Sequence, residues 1–157
     1  MREHPGSASA PGITRRQLIT GLLLLPPALA GCAIGTSTQS GPDPLIALAD
    51  AARSDVALAA TALASTPALA PRIQPLVDAR TAHAQALDAE VARLDPSQPS
   101  RPPAQATART VTLAEVRDAV LASGQSAAAA ALTLPPDRVG LVASVAACCA
   151  AYAQVLR

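Results

Sequence analysis

The chain has 157 residues, which is enough for one domain with a single core. Half of the residues are hydrophobic but only 1% are aromatic, so we expect a core of small and aliphatic side chains. The 12 basic residues nearly balance the 11 acidic ones and form no basic stripe, so we expect no nucleic-acid partner. Alanine has the highest helix propensity and strand-forming residues are scattered, so the composition predicts an all-α protein.

A segment with the pattern of an export signal comes first in the chain. Arg15 and Arg16 precede an apolar run, residues 19–30. A paired arginine followed, one residue on, by aliphatic residues resembles the bacterial twin-arginine export motif, with the general secretory route as the alternative. A transmembrane anchor is disfavoured, because about twelve residues are too few to span a bilayer as a helix. Pro26-Pro27 would also break a helix there.

The apolar run ends in a short motif, Leu29-Ala30-Gly31-Cys32. The motif resembles the lipobox of bacterial lipoproteins, in which small residues let the backbone enter the signal peptidase and the cysteine thiol receives a diacylglycerol. The resemblance implies that residues 1–31 are a cleaved signal peptide and that Cys32 becomes a lipidated N-terminus. The acyl chains would then hold the protein on the extracytoplasmic face of the cell membrane, whereas simple secretion is the alternative.

The mature chain is predicted to contain a tether and four helices. Residues 32–44 are small and polar and are interrupted by proline, as in a flexible tether. Apolar residues then recur at steps of three and four residues, which predicts helices at 45–65, 72–94, 112–131 and 138–156. On the first helix the predicted apolar stripe consists of Leu45, Leu48, Ala52, Val56, Ala59 and Leu63.

The segments around these helices predict how they begin and how they connect. Asp43 is an N-cap candidate for the first helix, and Thr112 with Glu115 has the spacing of a capping box. The proline-rich stretch 95–110 is expected to be a crossover or a mobile loop. Two hairpins joined by one longer link describe a four-helix bundle.

The last helix is unusual because it is apolar on every face. From Val139 to Ala153 its only polar side chains are Ser144 and the Tyr152 hydroxyl. It is too short and too rich in alanine for a membrane span, so we expect it to be the most buried helix of its bundle or to meet a second copy in a homodimer. Cys148 and Cys149 point about a hundred degrees apart, so they cannot easily bond to each other. We expect them to pack as small hydrophobic side chains, and a disulfide that links two copies of the chain is the alternative.

One group of polar residues falls on the first two helices. Asp55 lies on the first, and Arg80-Thr81-Ala82-His83 on the second. This pattern resembles the ferritin-like bundle proteins, which set a carboxylate on one helix against Glu-x-x-His on the next to hold metal ions. His83 matches the histidine of that motif, but Arg80 stands where the glutamate belongs. The resemblance therefore implies a ferritin-like fold, similar to the Ala-rich lipoprotein domains of high-GC Gram-positive bacteria, with neither a metal site nor a cofactor.

The remaining polar residues suggest no reaction. The chain contains no Gly-rich phosphate loop, no Gly-x-Ser-x-Gly motif and no Cys-x-x-Cys, and we expect no catalytic residue. Asp55, Arg80 and His83 are expected to form a structural polar cluster. The favoured function is a non-catalytic binding or scaffold module for an unknown envelope component. The alternatives are a carrier of a small apolar or lipid ligand and a degenerate ferritin-like metal protein.

Overall fold

Four α-helices form the described part of the chain, so the prediction of an all-α four-helix bundle is confirmed. The computed structural model describes residues 41–97, 102, 104–105 and 109–157. The helices are α1 Pro44–Ser65, α2 Ala70–Leu94, α3 Leu113–Ala131 and α4 Pro136–Val155, and a short 3-10 helix, Pro67–Leu69, lies between the first two. The predicted tether before Pro44 is described only from residue 41 onward.

Side-chain caps fix two of the helix starts. Asp43 caps α1 and accepts a hydrogen bond from the Leu45 backbone N–H at 2.9 Å. At α3 the Thr112 Oγ1 accepts from the Glu115 N–H at 3.2 Å, and the Glu115 Oε2 accepts from the Thr112 N–H at 2.8 Å. Both predicted caps are confirmed, because each satisfies an amide that has no partner inside its helix.

The starts of α2 and α4 correct the predicted boundaries. Each helix begins two residues before the predicted position, at Ala70 and Pro136, so Pro71 lies inside α2 rather than in the preceding turn. Proline has no N–H to donate, but the first turn of a helix needs none. At α3 the helix begins at Leu113, because Thr112 is the cap outside it.

Contacts at the two ends of the bundle define its topology. Arg138 in the first turn of α4 contacts Asp43 before α1 and Glu90 near the end of α2. At the opposite end the Arg72 Nη2, in the first turn of α2, donates to the carbonyls of Val155 and Arg157. α2 and α4 are therefore antiparallel neighbours, and so are the two helices of each hairpin.

The link between α2 and α3 must therefore be a crossover. α2 ends where α4 begins, whereas α3 begins at the other end of the bundle, beside the end of α4. The 19 residues of α3 rise about 29 Å at 1.5 Å each, and the link has to cover a comparable distance. Of the two predicted roles for the proline-rich segment, a crossover agrees with this order of the helices.

Small aliphatic side chains form the core, as the composition predicts. Those buried in the central cluster include Leu45, Leu48, Ala59, Ile73, Leu76, Leu87, Val116, Val120, Val142 and Val145. Two members of the predicted stripe on α1, Val56 and Leu63, are only half-buried, although Leu63 packs against the central cluster. Beside Val56 it is Asp55 that is buried. A polar residue can take that inward position only if other groups in the core satisfy its charge.

α3 and α4 approach each other closely at one glycine. A Cβ atom added to Gly124 would lie 2.9 Å from the Cys149 Cβ and 3.4 Å from the Ala146 carbonyl oxygen. The absence of a side chain is what allows the two backbones to come this near. The separation of the helices in the second hairpin therefore depends on a single residue.

Candidate functional site

The structure places the three predicted cluster residues together in the interior of the bundle. Arg80 on α2 is 1% exposed and Asp55 on α1 is 4% exposed. The Arg80 Nε and Nη2 atoms both lie 2.9 Å from the Asp55 Oδ2. The third guanidinium nitrogen, Nη1, lies 3.0 Å from the Nδ1 of His83, one turn further along α2. Arg80 therefore lies between the carboxylate and the imidazole and binds both.

Two further polar side chains extend this cluster to all four helices. Ser123 on α3 is buried and lies close enough to Asp55 to lower the pKa of its carboxyl group. Cys149 on α4 is fully buried, and its thiol interacts with Arg80. We call Asp55, Arg80, His83, Ser123 and Cys149 the polar layer. Within this layer Asp55, Arg80 and His83 are joined by hydrogen bonds inside an otherwise aliphatic core, as buried polar groups must be.

Burial shifts the proton affinities within the polar layer. It raises the pKa of Asp55, because the loss of hydration outweighs the opposing effects of Arg80 and Ser123. It lowers the pKa of His83, an effect that the positive charge of Arg80 reinforces. It also raises the pKa of the Cys149 thiol, so this cysteine is held as a neutral thiol rather than as a nucleophilic thiolate.

The geometry does not suit a metal ion. The Asp55 Oδ2 and the His83 Nδ1 are both engaged by Arg80, whose permanent positive charge would repel a cation. Among the residues that the structure describes, no three His, Cys, Asp or Glu side chains are grouped so that they could hold a metal ion. Arg80 joins α1 to α2 and occupies the oxygen and nitrogen atoms that a metal ion would need.

A second ionic cluster, at one end of the bundle, was missed by the sequence analysis. Arg138 is 6% exposed, and its Nη2 lies 2.6 Å from the Asp43 Oδ2. Its Nε lies 3.4 Å from the Glu90 Oε1, an ion pair without hydrogen-bond geometry. The cluster joins the residue before α1 to the end of α2 and to the start of α4. Only the order of the helices brings Arg138 and Asp43 together, so no local pattern could have predicted the pair.

α4 exposes much of its apolar surface, which corrects one of the two predicted roles for this helix. Its buried side chains are Arg138, Val142, Val145, Cys149 and Ala153. Only 28% of the most apolar 18-residue stretch of this helix is buried, so the prediction that α4 is the most buried helix is wrong. Alanine is the commonest of the side chains that face outward, because this helix is apolar on its solvent side as well as on its core side. Within the described ranges α4 is the one helix long and apolar enough to cross a membrane, so the expectation that it is too short and too rich in alanine for a span is wrong on length and composition.

An apolar groove lies between α3 and α4 on the outer side of the bundle. Its volume is about 190 Å³, and it is lined by Leu121, Gly124, Gln125, Ala128, Ala146 and Ala150. Leu121 at its edge is 41% exposed. We call this groove, with the outward alanines of α4, the outer α3–α4 face. Neither α3 after Asp118 nor α4 after Arg138 contains a charged residue, so this face is uncharged over most of its length.

Of the other predicted site residues, the structure describes the two cysteines of α4 but not the residues of the export and lipidation motifs. Cys148 is half-buried and Cys149 is buried, and both are free thiols, as the angle between neighbouring helical positions predicts. The predicted export and lipidation residues lie outside the described residues: Arg15, Arg16, Leu29, Ala30, Gly31 and Cys32. Their role rests on the sequence motif.

Comparison with known proteins assigns no relative to this chain. No protein-family model, curated protein or solved structure matches it. The fold defines the chain as an all-α four-helix bundle, and its function has to be inferred from its own residues.

Proposed function

We propose that this chain is a lipid-anchored protein of the outer side of the cell membrane, whose helical bundle is a non-catalytic binding or scaffold module. The order of paired arginines, apolar run and lipobox supports the anchor at Cys32. The outer α3–α4 face is the observation that carries the binding function, since it is apolar, uncharged and open to solvent. Exposed apolar patches on soluble domains commonly mark interaction sites.

Details of the topology support a ferritin-like bundle as the scaffold. Ferritin-like folds contain one long crossover connection, and the positions of the helix ends require one between α2 and α3. The polar layer occupies the position between helices where such folds place ligands. Here an arginine joins the carboxylate and the histidine, so we propose that the layer stabilises the bundle instead of binding metal.

The alternative carrier function receives less support. The groove on the outer α3–α4 face and a second groove lined in part by Arg53, Thr81 and Asp88 have volumes of about 190 and 220 Å³. Sites for small molecules usually exceed about 300 Å³. Native mass spectrometry of protein purified without detergent separates the two functions, because a carrier should retain a bound lipid. Stoichiometric iron, manganese or zinc in the purified protein would favour the metal-protein alternative.

The anchor can be tested with Cys32→Ala. Wild-type protein produced in a bacterium that processes lipoproteins should enter the detergent phase on phase partitioning. The variant should remain as uncleaved precursor or as soluble protein, because no other residue can accept the diacylglycerol. A variant that is cleaved and still partitions with the detergent would contradict the lipoprotein assignment.

The binding face can be tested with a matched pair of variants. Ala150 and Ala86 are both exposed helical alanines, but only Ala150 lines the outer α3–α4 groove. Ala150→Glu should abolish capture of a membrane partner by the anchored protein, because it places a charge in an apolar contact. Ala86→Glu should leave capture unchanged. Equal capture by both variants would exclude this face as the binding site.

A further inference from the structure

The contacts of Arg80 determine the protonation state of His83. Arginine has hydrogen-bond donors but no acceptor, so in the 3.0 Å contact the Arg80 Nη1 donates and the His83 Nδ1 accepts. His83 must therefore be neutral, with its proton on Nε2. The arrangement selects one of the three protonation states of the imidazole.

A second proton on His83 would destroy this contact. The Nδ1–H would face the Arg80 Nη1–H, and two positive charges would lie about 3 Å apart in a poorly hydrated site. Arg80 cannot turn away to solvent without breaking its hydrogen bond and its ion-pair contact with Asp55. The imidazole is half-buried, so it can still exchange protons with water.

The charged groups around His83 do not offset this repulsion. From α1 it is Asp55 that faces the layer, and this carboxylate is already bound to Arg80. From α3 and α4 the layer receives Ser123 and Cys149, which are uncharged. On α2 itself, Asp88 pairs with Arg53 and Glu90 pairs with Arg93. Within the described part of the chain, Arg80 is the charge that acts on His83.

We propose that the Arg80–His83 contact is an acid-sensitive latch that loosens the polar layer when His83 is protonated. The lowered pKa of His83 means that the folded chain binds this proton less readily than the unfolded chain. Stability from the latch is therefore present above the ordinary histidine value of 6.5 and is lost as the pH falls below it. Asp55 acts in the opposite direction, since its pKa is raised, so the two groups must be separated by experiment.

The test compares the full chain with His83→Gln. The glutamine amide oxygen can still accept from Arg80, but the side chain does not titrate. The thermal midpoint of the wild type should fall by several degrees more than that of the variant between pH 7.5 and pH 5.5. Asp55 and His4 are present in both proteins, so the difference isolates His83. An equal fall in the two proteins would overturn the proposal.

Histidine NMR on the wild-type chain keeps the proposal testable if the variant does not fold. The ring of His83 should carry its proton on Nε2 at pH 7.5 and should titrate below 6.5. The protection factors of amides in the middle of α2, which are exchange rates corrected for the intrinsic pH dependence, should fall as the pH is lowered over the same range. A proton on Nδ1 at pH 7.5, or a titration midpoint above the ordinary histidine value, would show that the latch does not exist.

Discussion

The two hairpins of the bundle are held together by different forces. In the α1–α2 hairpin, ion pairs cross between the helices, both in the core at Asp55 and Arg80 and nearer the surface at Arg53 and Asp88. In the α3–α4 hairpin, the helices meet through small side chains, and Gly124 lies directly against Cys149. The first hairpin therefore depends on charge compensation and the second on close packing. The same chain uses two solutions because its charges are concentrated in one half.

This difference determines which substitutions each hairpin tolerates. A buried ion pair contributes little net stability compared with a well-packed apolar pair, but removal of one partner leaves an uncompensated charge. Where two helix backbones lie in close contact, a substitution that enlarges a side chain at the contact is destabilising. Three variants test the contrast.

The largest effect is expected for Asp55→Ala. Without the carboxylate the buried guanidinium of Arg80 loses its counter-ion, which should lower the free energy of unfolding by about 3 to 5 kcal/mol. Urea unfolding measures the loss. Asp78→Ala is the control, because Asp78 is an exposed acid bonded only to Gln74 among the contacts described, and it should leave the free energy of unfolding nearly unchanged. Equal losses would mean that burial of the Asp55–Arg80 pair has no special consequence.

A double substitution sharpens the first result. Asp55→Leu combined with Arg80→Leu removes both charges, so the double variant should be more stable than either single variant. A double variant as unstable as the sum of the two single variants would show that the residues contribute independently.

The next largest effect is expected for Gly124→Ala. The added Cβ would lie 2.9 Å from the Cys149 Cβ, so α3 and α4 must separate, at a cost of about 1 to 3 kcal/mol. Gly140→Ala is the matched control on α4, because a Cβ there meets no atom within 4 Å. The control should raise stability by up to about 1 kcal/mol through helix propensity. Because Gly124→Ala gains the same helix propensity, the contact with Cys149 should make it less stable than Gly140→Ala by about 1 to 3 kcal/mol in thermal unfolding, and equal stability of the two variants would refute close packing at Gly124.

The smallest effect is expected at the start of α3, for Thr112→Ala. Loss of the cap should cost about 1 kcal/mol, whereas Ser126→Ala on the exposed side of the same helix should cost little.

The hydrogen bond from the Thr112 backbone N–H, assisted by Arg109, lowers the pKa of Glu115 to about 2. Stability from the ionised Glu115 is thus present above its ordinary value of 4.5 and declines as the pH falls toward 2. Guanidinium unfolding at pH 6 and pH 3 should show a smaller acid loss for Glu115→Gln than for the wild type.

The parts of the fold that were predicted correctly are local ones. The helix positions follow from apolar residues at steps of three and four, and the caps at Asp43 and Thr112 follow from the chemistry of residues that are neighbours in sequence. The starts of α2 and α4 were misplaced by two residues because proline was taken as a boundary, although it is accepted in a first turn.

The candidate site was predicted only in part. The i, i+3 spacing of Arg80 and His83 places both side chains on one face of α2, and Asp55 was expected as a partner. Ser123 was not singled out, although a serine between Val120 and Ala127 on the inner face of α3 is a signal that could have revealed it. Cys149 was expected to pack, and it also lies where the charge of Arg80 acts on its thiol.

By itself the sequence determined the helical class and the approximate helix limits, because these depend on composition and on residues a few positions apart. The export signal and the absence of a catalytic motif stay predictions. Only the tertiary structure decided that Arg138 meets Asp43, that Asp55 rather than Val56 faces the core, and that α4 leaves its outer surface uncovered. Residues separated by up to 95 positions meet in these contacts. Their pairing depends on which helices become neighbours and on how each helix is rotated about its axis. An alanine-rich helix that is apolar on every side has almost no hydrophobic periodicity, so its sequence does not predict its rotation.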